Sequence, residues 1–181
     1  MSEAPVLTDG IIELSAFTLD DVALHVDGED AETVTWLNEG HQSTVATTRA
    51  WAEQHLRWWS TAGPRRMFAI READTGTLAG MIEANLDHDS CGLPAGEVNL
   101  SFMVQSWTRE RGFATRAVEL MCEFLERFEG ADVAVLRIDP DNTASLGVAA
   151  RAKFADVGRI TTPGGDRLCY FRRVLRDALR T

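Results

Sequence analysis

Residues 105–115 read Gln-Ser-Trp-Thr-Arg-Glu-Arg-Gly-Phe-Ala-Thr and join a predicted strand to a predicted helix. Upstream, residues 97–104 are mostly apolar and rich in strand formers. Downstream, apolar residues recur at helical spacing, at Ala114, Ala117, Val118, Met121, Leu125 and Phe128. Such a junction directs free backbone N–H groups, the positive end of the helix dipole and two arginines towards one point. The pattern predicts an anion site suited to a phosphate-bearing cofactor. A plain connection with surface arginines is the alternative.

Two well-known phosphate motifs are excluded. A P-loop needs Gly-Lys-Ser/Thr, which does not follow Gly112, and the dinucleotide fingerprint needs three glycines where this turn has one.

A second strand–turn–helix unit begins about thirty residues after Gly112. A β-branched strand over 133–138 ends at Pro140-Asp141-Asn142, and a short helix runs from there to about Phe154. Two successive strand–turn–helix units predict a βαβ unit with parallel strands.

At this point the chain resembles the GNAT acyltransferase superfamily. The segment Arg109–Ala114 matches that family's pyrophosphate-loop pattern, Gln/Arg-x-x-Gly-x-Gly/Ala, and Asn142–Leu146 matches its later Asn-x-x-Ser helix. The branch that it resembles contains the ribosomal-protein N-terminal acetyltransferases and related antibiotic-modifying enzymes. The resemblance covers residues 66–160 well and the first 65 residues loosely.

The resemblance implies a fold and an activity. The fold class is α/β (α+β): one GNAT-like domain over residues 1–181, with a mixed, mostly antiparallel twisted sheet, flanking helices and a parallel βαβ core. The implied activity is an N-acetyltransferase that moves the acetyl group of acetyl-CoA to a primary amine by direct attack in a ternary complex. Two rivals stay open, an acyl-CoA-binding protein without turnover and a nucleotide-dependent enzyme or switch.

The resemblance also assigns cofactor residues. Backbone N–H groups near Met103 and Val104 would polarise the thioester carbonyl if that strand end splays from its neighbour, and Asn142 would bond the pantetheine arm or simply cap its helix. The complete expected set is Met103, Val104, Arg109, Glu110, Arg111, Gly112, Phe113, Ala114, Thr115 and Asn142.

Three acidic residues and two others are candidates for the chemistry. The resemblance places Glu97 at the strand position that faces the acceptor, so Glu97 is the predicted base, with Glu83 on the preceding strand as the alternative. A carboxylate with an ordinary pKa would need burial or a water relay to deprotonate an ammonium. Ser145 is the candidate for stabilising the departing thiolate, since Ala149 stands where many members have a tyrosine acid. Trp36 and Asp30, with Glu83, are expected to contact the acceptor.

Another departure from the family is Lys153, which stands where glycine usually precedes the phenylalanine. If its backbone is left-handed, the lysine costs on the order of 1 kcal/mol.

The composition limits the classes of molecule that this protein is expected to bind. The net charge of −10 argues against nucleic acid. Acidic residues crowd positions 20–32, which favours either a solvated helix start or attraction of a cationic amine, such as a peptide N-terminus or a small cationic molecule. No apolar run is long enough for a membrane span, and the three scattered cysteines are typical of a reducing compartment, so we expect a cytoplasmic protein. No metal site is expected, because Asp87-His88-Asp89 lacks a partner set.

The remaining elements follow from local patterns. We predict a strand over 11–17, helices over 19–26 and 48–60, a hairpin of 67–71 with 78–86, a linker over 87–96 and a final strand over 168–174. The aromatic-rich early helices could also form a homodimer face.

Overall fold

A computed structural model describes residues 4–37, 40–162 and 164–176. Its eight strands are β1 (Leu7–Thr8), β2 (Ile12–Ala16), β3 (Arg65–Glu72), β4 (Leu78–Asn85), β5 (Glu97–Val104), β6 (Val133–Ile138), β7 (Ala155–Thr161) and β8 (Arg167–Val174). Its helices are α1 (Val22–Asp27), α2 (Ala31–Leu37), α3 (Val45–Thr61), α4 (His88–Cys91), α5 (Phe113–Phe124) and α6 (Thr143–Arg151). Short 3-10 turns cover Leu19–Asp21 and Ser106–Thr108, and a π-helical turn, Leu125–Glu129, extends α5.

The strands form one sheet in the order β1-β2-β3-β4-β5-β6-β8-β7. Among the described strands only the β5–β6 pair is parallel, and α5 connects those two strands. The predicted fold class, a mostly antiparallel mixed sheet with a parallel βαβ core, is therefore confirmed.

Side chains alternate between the two faces of the sheet, as the strand period requires. Along β3, Phe68 and Ile70 enter the core cluster that contains α5, whereas Met67 and Ala69 enter the cluster beside α1 and α3. Helix α5 thus covers one face, and the N-terminal helices cover the other. Between them they leave open the end of β5, where the site lies.

Most predicted elements are present with boundaries shifted by a few residues. Four elements were not predicted: β1, α2, α4 and β7. Strand β7 is exposed along nearly its whole length, so its side chains lack the alternating apolar pattern that marks a half-buried strand. Helices α2 and α4 lie in the acidic stretch and in the predicted linker, and both are too short to show a helical period.

Lys153 has a φ of 60°, so the left-handed conformation considered from the sequence is present. Its N–H donates to the Ala150 carbonyl at 3.1 Å, and the Phe154 N–H donates to the Ala149 carbonyl at 3.0 Å. These bonds end α6 and return the chain towards β7.

Candidate active site

The main cleft opens where β5 and β6 diverge. Their pairing stops at Asn99 and Val135, although β5 continues to Val104 and β6 to Ile138. The splay expected from the sequence is therefore present. A cavity of about 1740 Å³ lies beside the diverging strands, and both Met103 and Val104 line it. Backbone groups of the separated stretch are available to a ligand that carries amides.

Gly80 brings β4 unusually close to this strand end. A β-carbon at this position would lie 2.2 Å from the Met103 carbonyl oxygen and 2.9 Å from the Val104 α-carbon. Real β-carbons do not approach backbone atoms this closely, so only glycine allows the observed position of Met103. Gly80 was not predicted as a site residue, because a glycine inside a strand indicates a close approach without identifying the partner.

The first turn of α5 has the geometry of an anion site. Gly112 precedes the helix with a φ of 79°, and the first helical bond runs from the Arg116 N–H to the Gly112 carbonyl at 3.1 Å. The N–H groups of Phe113, Ala114 and Thr115 therefore precede the helical ladder and have no acceptor within it. All three residues line the cleft, together with Gly112 and Glu110. The helix dipole adds positive potential at the same point.

The two predicted phosphate-binding arginines are engaged elsewhere. Arg109 lines the cleft, but its guanidinium donates to Asp30 at 2.7 and 2.9 Å and to Glu32 at 2.8 Å. Its hydrogen bonds hold the pKa of the Asp30 carboxyl well below the usual range. Arg109 thus ties α2 to the loop that precedes α5.

Arg111 lies outside the cleft. It pairs with Glu72, and its guanidinium lies 4.5 Å from the centre of the Phe113 ring. A different arginine, Arg151 of α6, lines the cleft and donates to the Thr115 hydroxyl at 3.3 Å. Arg151 was not predicted as a site residue, because the Asn-x-x-Ser motif covers only the start of α6.

The first turn of α6 forms the opposite wall. The Asn142 side-chain oxygen accepts from the Ser145 N–H at 3.0 Å, so Asn142 is the helix cap. Its amide NH2 remains free of that bond and can donate to a ligand, because both residues line the cleft. The two roles weighed for Asn142 are compatible with each other.

A second cavity of about 310 Å³ adjoins the cleft on the face covered by α1, α2 and α3. The two cavities share four lining residues, Thr33, Leu37, Ser101 and Met103. Trp36 lines the cleft beside Leu37, whereas neither cavity is lined by Asp30 in the described part of the chain. Helix α2 therefore borders both spaces, and Asp30 lies behind it, against Arg109.

Glu83 lines the smaller cavity and is 5% exposed. Its Oε1 accepts from Arg65 at 2.7 Å, and its Oε2 lies 2.5 Å from the His55 Nε2. The His55 Nδ1 lies 2.9 Å from the Trp51 carbonyl oxygen, which can only accept, so Nδ1 carries a proton. The contact between His55 and Glu83 joins α3 to β4.

Glu97 lies apart from both cavities, as far as the described residues show. It is 4% exposed, accepts a hydrogen bond from the Tyr170 hydroxyl, and pairs with Arg172 at 2.6 Å. Burial, followed by the hydrogen bond to Glu97, raises the pKa of Tyr170 to about 12. Of the two carboxylates considered as the base, Glu83 is thus the one beside a cavity.

One residue of the smaller cavity, His25, was not predicted from the sequence, whereas another, Glu29, belongs to the acidic stretch already noted there. His25 is buried, and burial lowers its pKa, with Glu29 and Asp21 acting in the opposite direction. Glu29 accepts from the Ser43 N–H at 2.9 Å and lies 3.9 Å from the His25 Nε2. Nothing in the sequence shows that α1, α3 and β4 meet, so His25 and His55 could not be assigned to a common site.

Two further findings concern the described residues alone. No group of three or more His, Cys, Asp or Glu side chains there is arranged to hold a metal ion. None of the helices in the same ranges has the length and apolar character needed to cross a bilayer.

Several solved structures with this architecture are acetyltransferases. A putative ribosomal-protein-serine acetyltransferase from Vibrio cholerae superposes with a TM-score of 0.73 at 17% identity, covering 96% of this chain and 99% of that one. The microcin C7 self-immunity acetyltransferase MccE, solved with acetyl-CoA and AMP, gives a TM-score of 0.75 at 15% identity, with coverage of 92% and 93%. The aminoglycoside acetyltransferase AAC(6')-Ib, solved with coenzyme A, gives 0.71 at 17% identity, with coverage of 90% and 94%.

No curated protein sequence matches the chain significantly. The family model described as the acetyltransferase (GNAT) domain matches residues 12–155, which is most of the chain. The splayed parallel strands, the geometry at the start of α5 and this match agree, and the chain belongs to the GNAT family of acetyltransferases.

Proposed function

We propose that this protein transfers the acetyl group of acetyl-CoA to a primary amine, on a small cationic molecule or at a peptide N-terminus. One observation carries the proposal: a long cleft ending at the start of α5 meets a smaller cavity at Ser101 and Met103. Such an arrangement brings two substrates together from different sides, which is what direct transfer in a ternary complex requires.

The cleft suits acetyl-CoA. The N–H groups of the first α5 turn and the Arg151 guanidinium are donors for phosphate oxygens. The Asn142 amide and the unpaired backbone of β5 are partners for the amides of the pantetheine arm. With acetyl-CoA bound in this way, its acetyl group would lie next to Ser101, where the smaller cavity begins.

The smaller cavity suits the amine. Its wall carries two carboxylates, Glu29 and Glu83, which attract an ammonium, and its apolar lining, including Met81 and Met103, removes water around it. Glu83 is the proton acceptor in this proposal, because it lines the smaller cavity and lies on β4 directly opposite Ser101, where the two cavities meet. His55 and Arg65 hold its carboxylate in one position.

Transfer then proceeds in one addition and one elimination. The amine loses a proton to Glu83, directly or through water, and its nitrogen attacks the thioester carbonyl. Backbone N–H groups near Met103 and Val104 stabilise the developing oxyanion. The C–N bond forms, the C–S bond breaks, and the second proton lost from the nitrogen passes to the departing thiolate, with the Ser145 hydroxyl as the candidate donor that relays it.

The test is a thiol-release assay with acetyl-CoA and a panel of amines that includes polyamines, aminoglycosides and short peptides. Initial rates with both substrates varied should give intersecting double-reciprocal lines, as a ternary complex requires; parallel lines would indicate an acetylated enzyme intermediate. Acetyl-CoA binding without turnover on any amine would instead favour an acyl-CoA-binding protein that does not catalyse transfer.

A further inference from the structure

Arg137 of β6 is a cation in the cleft that the proposed chemistry does not use. Its neighbours Leu136 and Ile138 pack in the core cluster with α5, so Arg137 points to the opposite face of the sheet. Its Nε donates to the Asn99 side-chain oxygen at 2.9 Å, and its Nη1 donates to the Cys91 carbonyl at 3.0 Å. These two bonds fix the plane of the guanidinium.

Both of these partners are neutral. The nearby carboxylate of Glu97 is paired with Arg172 and Tyr170, and no carboxylate of the described residues forms an ion pair with Arg137. Two other carboxylates of the cleft, Asp139 and Asp166, accept hydrogen bonds within their own turns. A guanidinium has five N–H donors, so several remain for a ligand. A half-buried cation without a counter-ion is costly, and an anionic ligand would offset that cost.

The position of Arg137 indicates that it would contact the acceptor rather than the phosphates of acetyl-CoA. Glu83 and Ser101 are directly opposite each other on β4 and β5, and Asn99 lies two residues before Ser101 on the same face. Arg137 therefore lies on the other side of Ser101 from Glu83, and the α5 anion site is on the opposite face of the sheet. Adjacent strands are about 4.8 Å apart, so β4 and β6 are separated by roughly 10 Å or slightly more where they splay.

We propose, on the basis of the function proposed above, that Arg137 is an anion subsite for the acceptor and that the preferred acceptor is an acidic peptide N-terminus. An extended peptide advances about 3.3–3.6 Å per residue, so its ammonium can bind near Glu83 while an Asp or Glu within the first three residues reaches Arg137. The ammonium and carboxylate of a free α-amino acid are too close together to span this distance. The cleft also continues along this face to Thr162 and Leu168, at the β7–β8 hairpin, which leaves room for the following residues.

The experiment compares peptides that are identical except for Glu or Gln at position 2 or 3. With the wild-type protein, kcat/KM is expected to favour a Glu peptide by about tenfold, the size of one partly desolvated charge pair. Arg137→Gln should bring the ratio to about one and leave the KM for acetyl-CoA unchanged. Arg137→Glu should reverse the preference in favour of a Lys peptide. Arg159→Gln is the matched control, because Arg159 is exposed, pairs with Asp156 and lines neither cavity.

Arg137 also holds the α4 turn through the Cys91 carbonyl, so a purely structural role of Arg137 must be distinguished from its proposed role in binding the acceptor. Such a role would lower the rates on Glu and Gln peptides together and would leave their ratio unchanged, which would overturn the proposal. A wild-type ratio near one, a loss of acetyl-CoA affinity in Arg137→Gln, or a preference for free amino acids over peptides would overturn it equally. Titration of the same peptides into the protein with coenzyme A gives the ratio of affinities for the Glu and Gln peptides without turnover. The subsite can therefore be tested independently of the acetyl-transfer proposal.

Discussion

The two halves of the site are built from different materials. On the cofactor side, the candidate contacts are backbone groups, namely the first N–H groups of α5 and the separated edge of β5. Two glycines shape this side: Gly80 has no room for a β-carbon, and Gly112 has a φ of 79°, which strains any other residue. On the acceptor side, the wall is a set of side chains from separate elements, centred on Glu83 and its partners. Substitutions on the cofactor side should therefore act through conformation, and those on the acceptor side through charge.

The sharpest test of this contrast is Glu83→Gln, which keeps the shape of the side chain and removes its charge. We expect kcat/KM for the amine to fall about 100-fold, or about 2.7 kcal/mol, because a proton acceptor is lost. Acetyl-CoA affinity should change less than about twofold. Steady-state kinetics measure kcat/KM for the amine, and a binding titration measures the affinity for acetyl-CoA. Glu53→Gln, on the exposed face of α3, is the matched control and should alter neither.

Gly80→Ala should affect the cofactor side through conformation alone. The added β-carbon meets the Met103 carbonyl oxygen, so β4 and β5 must move apart at a cost of about 1–3 kcal/mol. Chemical denaturation measures that loss, and acetyl-CoA affinity should fall with it.

Gly76→Ala separates this clash from backbone strain. Gly76 has a φ of 70° but open space around its α-carbon, so alanine there brings only conformational strain. Equal losses of acetyl-CoA affinity in the two variants would argue against a specific role for the β4–β5 approach.

Glu97→Gln tests which carboxylate belongs to the chemistry. Glu97 is held by Tyr170 and Arg172, away from both cavities, so its substitution should lower the free energy of unfolding by about 1–2 kcal/mol. The kcat should change less than about threefold when measured well below the unfolding temperature. A 100-fold loss of kcat with unchanged stability would instead restore Glu97 as the base predicted from the sequence.

The smallest expected effect is at Lys153, outside both halves. Lys153→Gly should raise the free energy of unfolding by about 0.5–1 kcal/mol, because glycine adopts the observed φ of 60° without strain. Lys153→Ala is the control, since it keeps the β-carbon and should give little of the gain. Neither variant should change turnover.

The same contrast explains what could be predicted from the sequence. The turn at the start of α5 and the βαβ core were predicted because each has a local signature: Gly112 followed by a helical period, and Asn142 opening the next helix. The acceptor cavity depends on residues far apart in the sequence, such as His55 with Glu83, and no local pattern connects them.

Arg109 shows a further limit. Its position in the motif predicted a phosphate contact, but the structure pairs it with Asp30 and Glu32. The acidic stretch is visible in the sequence, but nothing in the sequence shows that Arg109 pairs with it. Long-range charge pairing is decided by which elements pack together, which the separate patterns of those elements do not specify.

The most direct measurement is a calorimetric titration of acetyl-CoA into three proteins: wild type, Gly112→Asp and Glu83→Gln. The Gly112→Asp substitution would bring a negative charge and a strained backbone to the α5 anion site, so this variant should lose binding by about 100-fold or more. Wild type and Glu83→Gln should bind alike. Failure of the wild-type protein to bind acetyl-CoA, particularly if ATP with magnesium binds instead, would contradict the account of both halves.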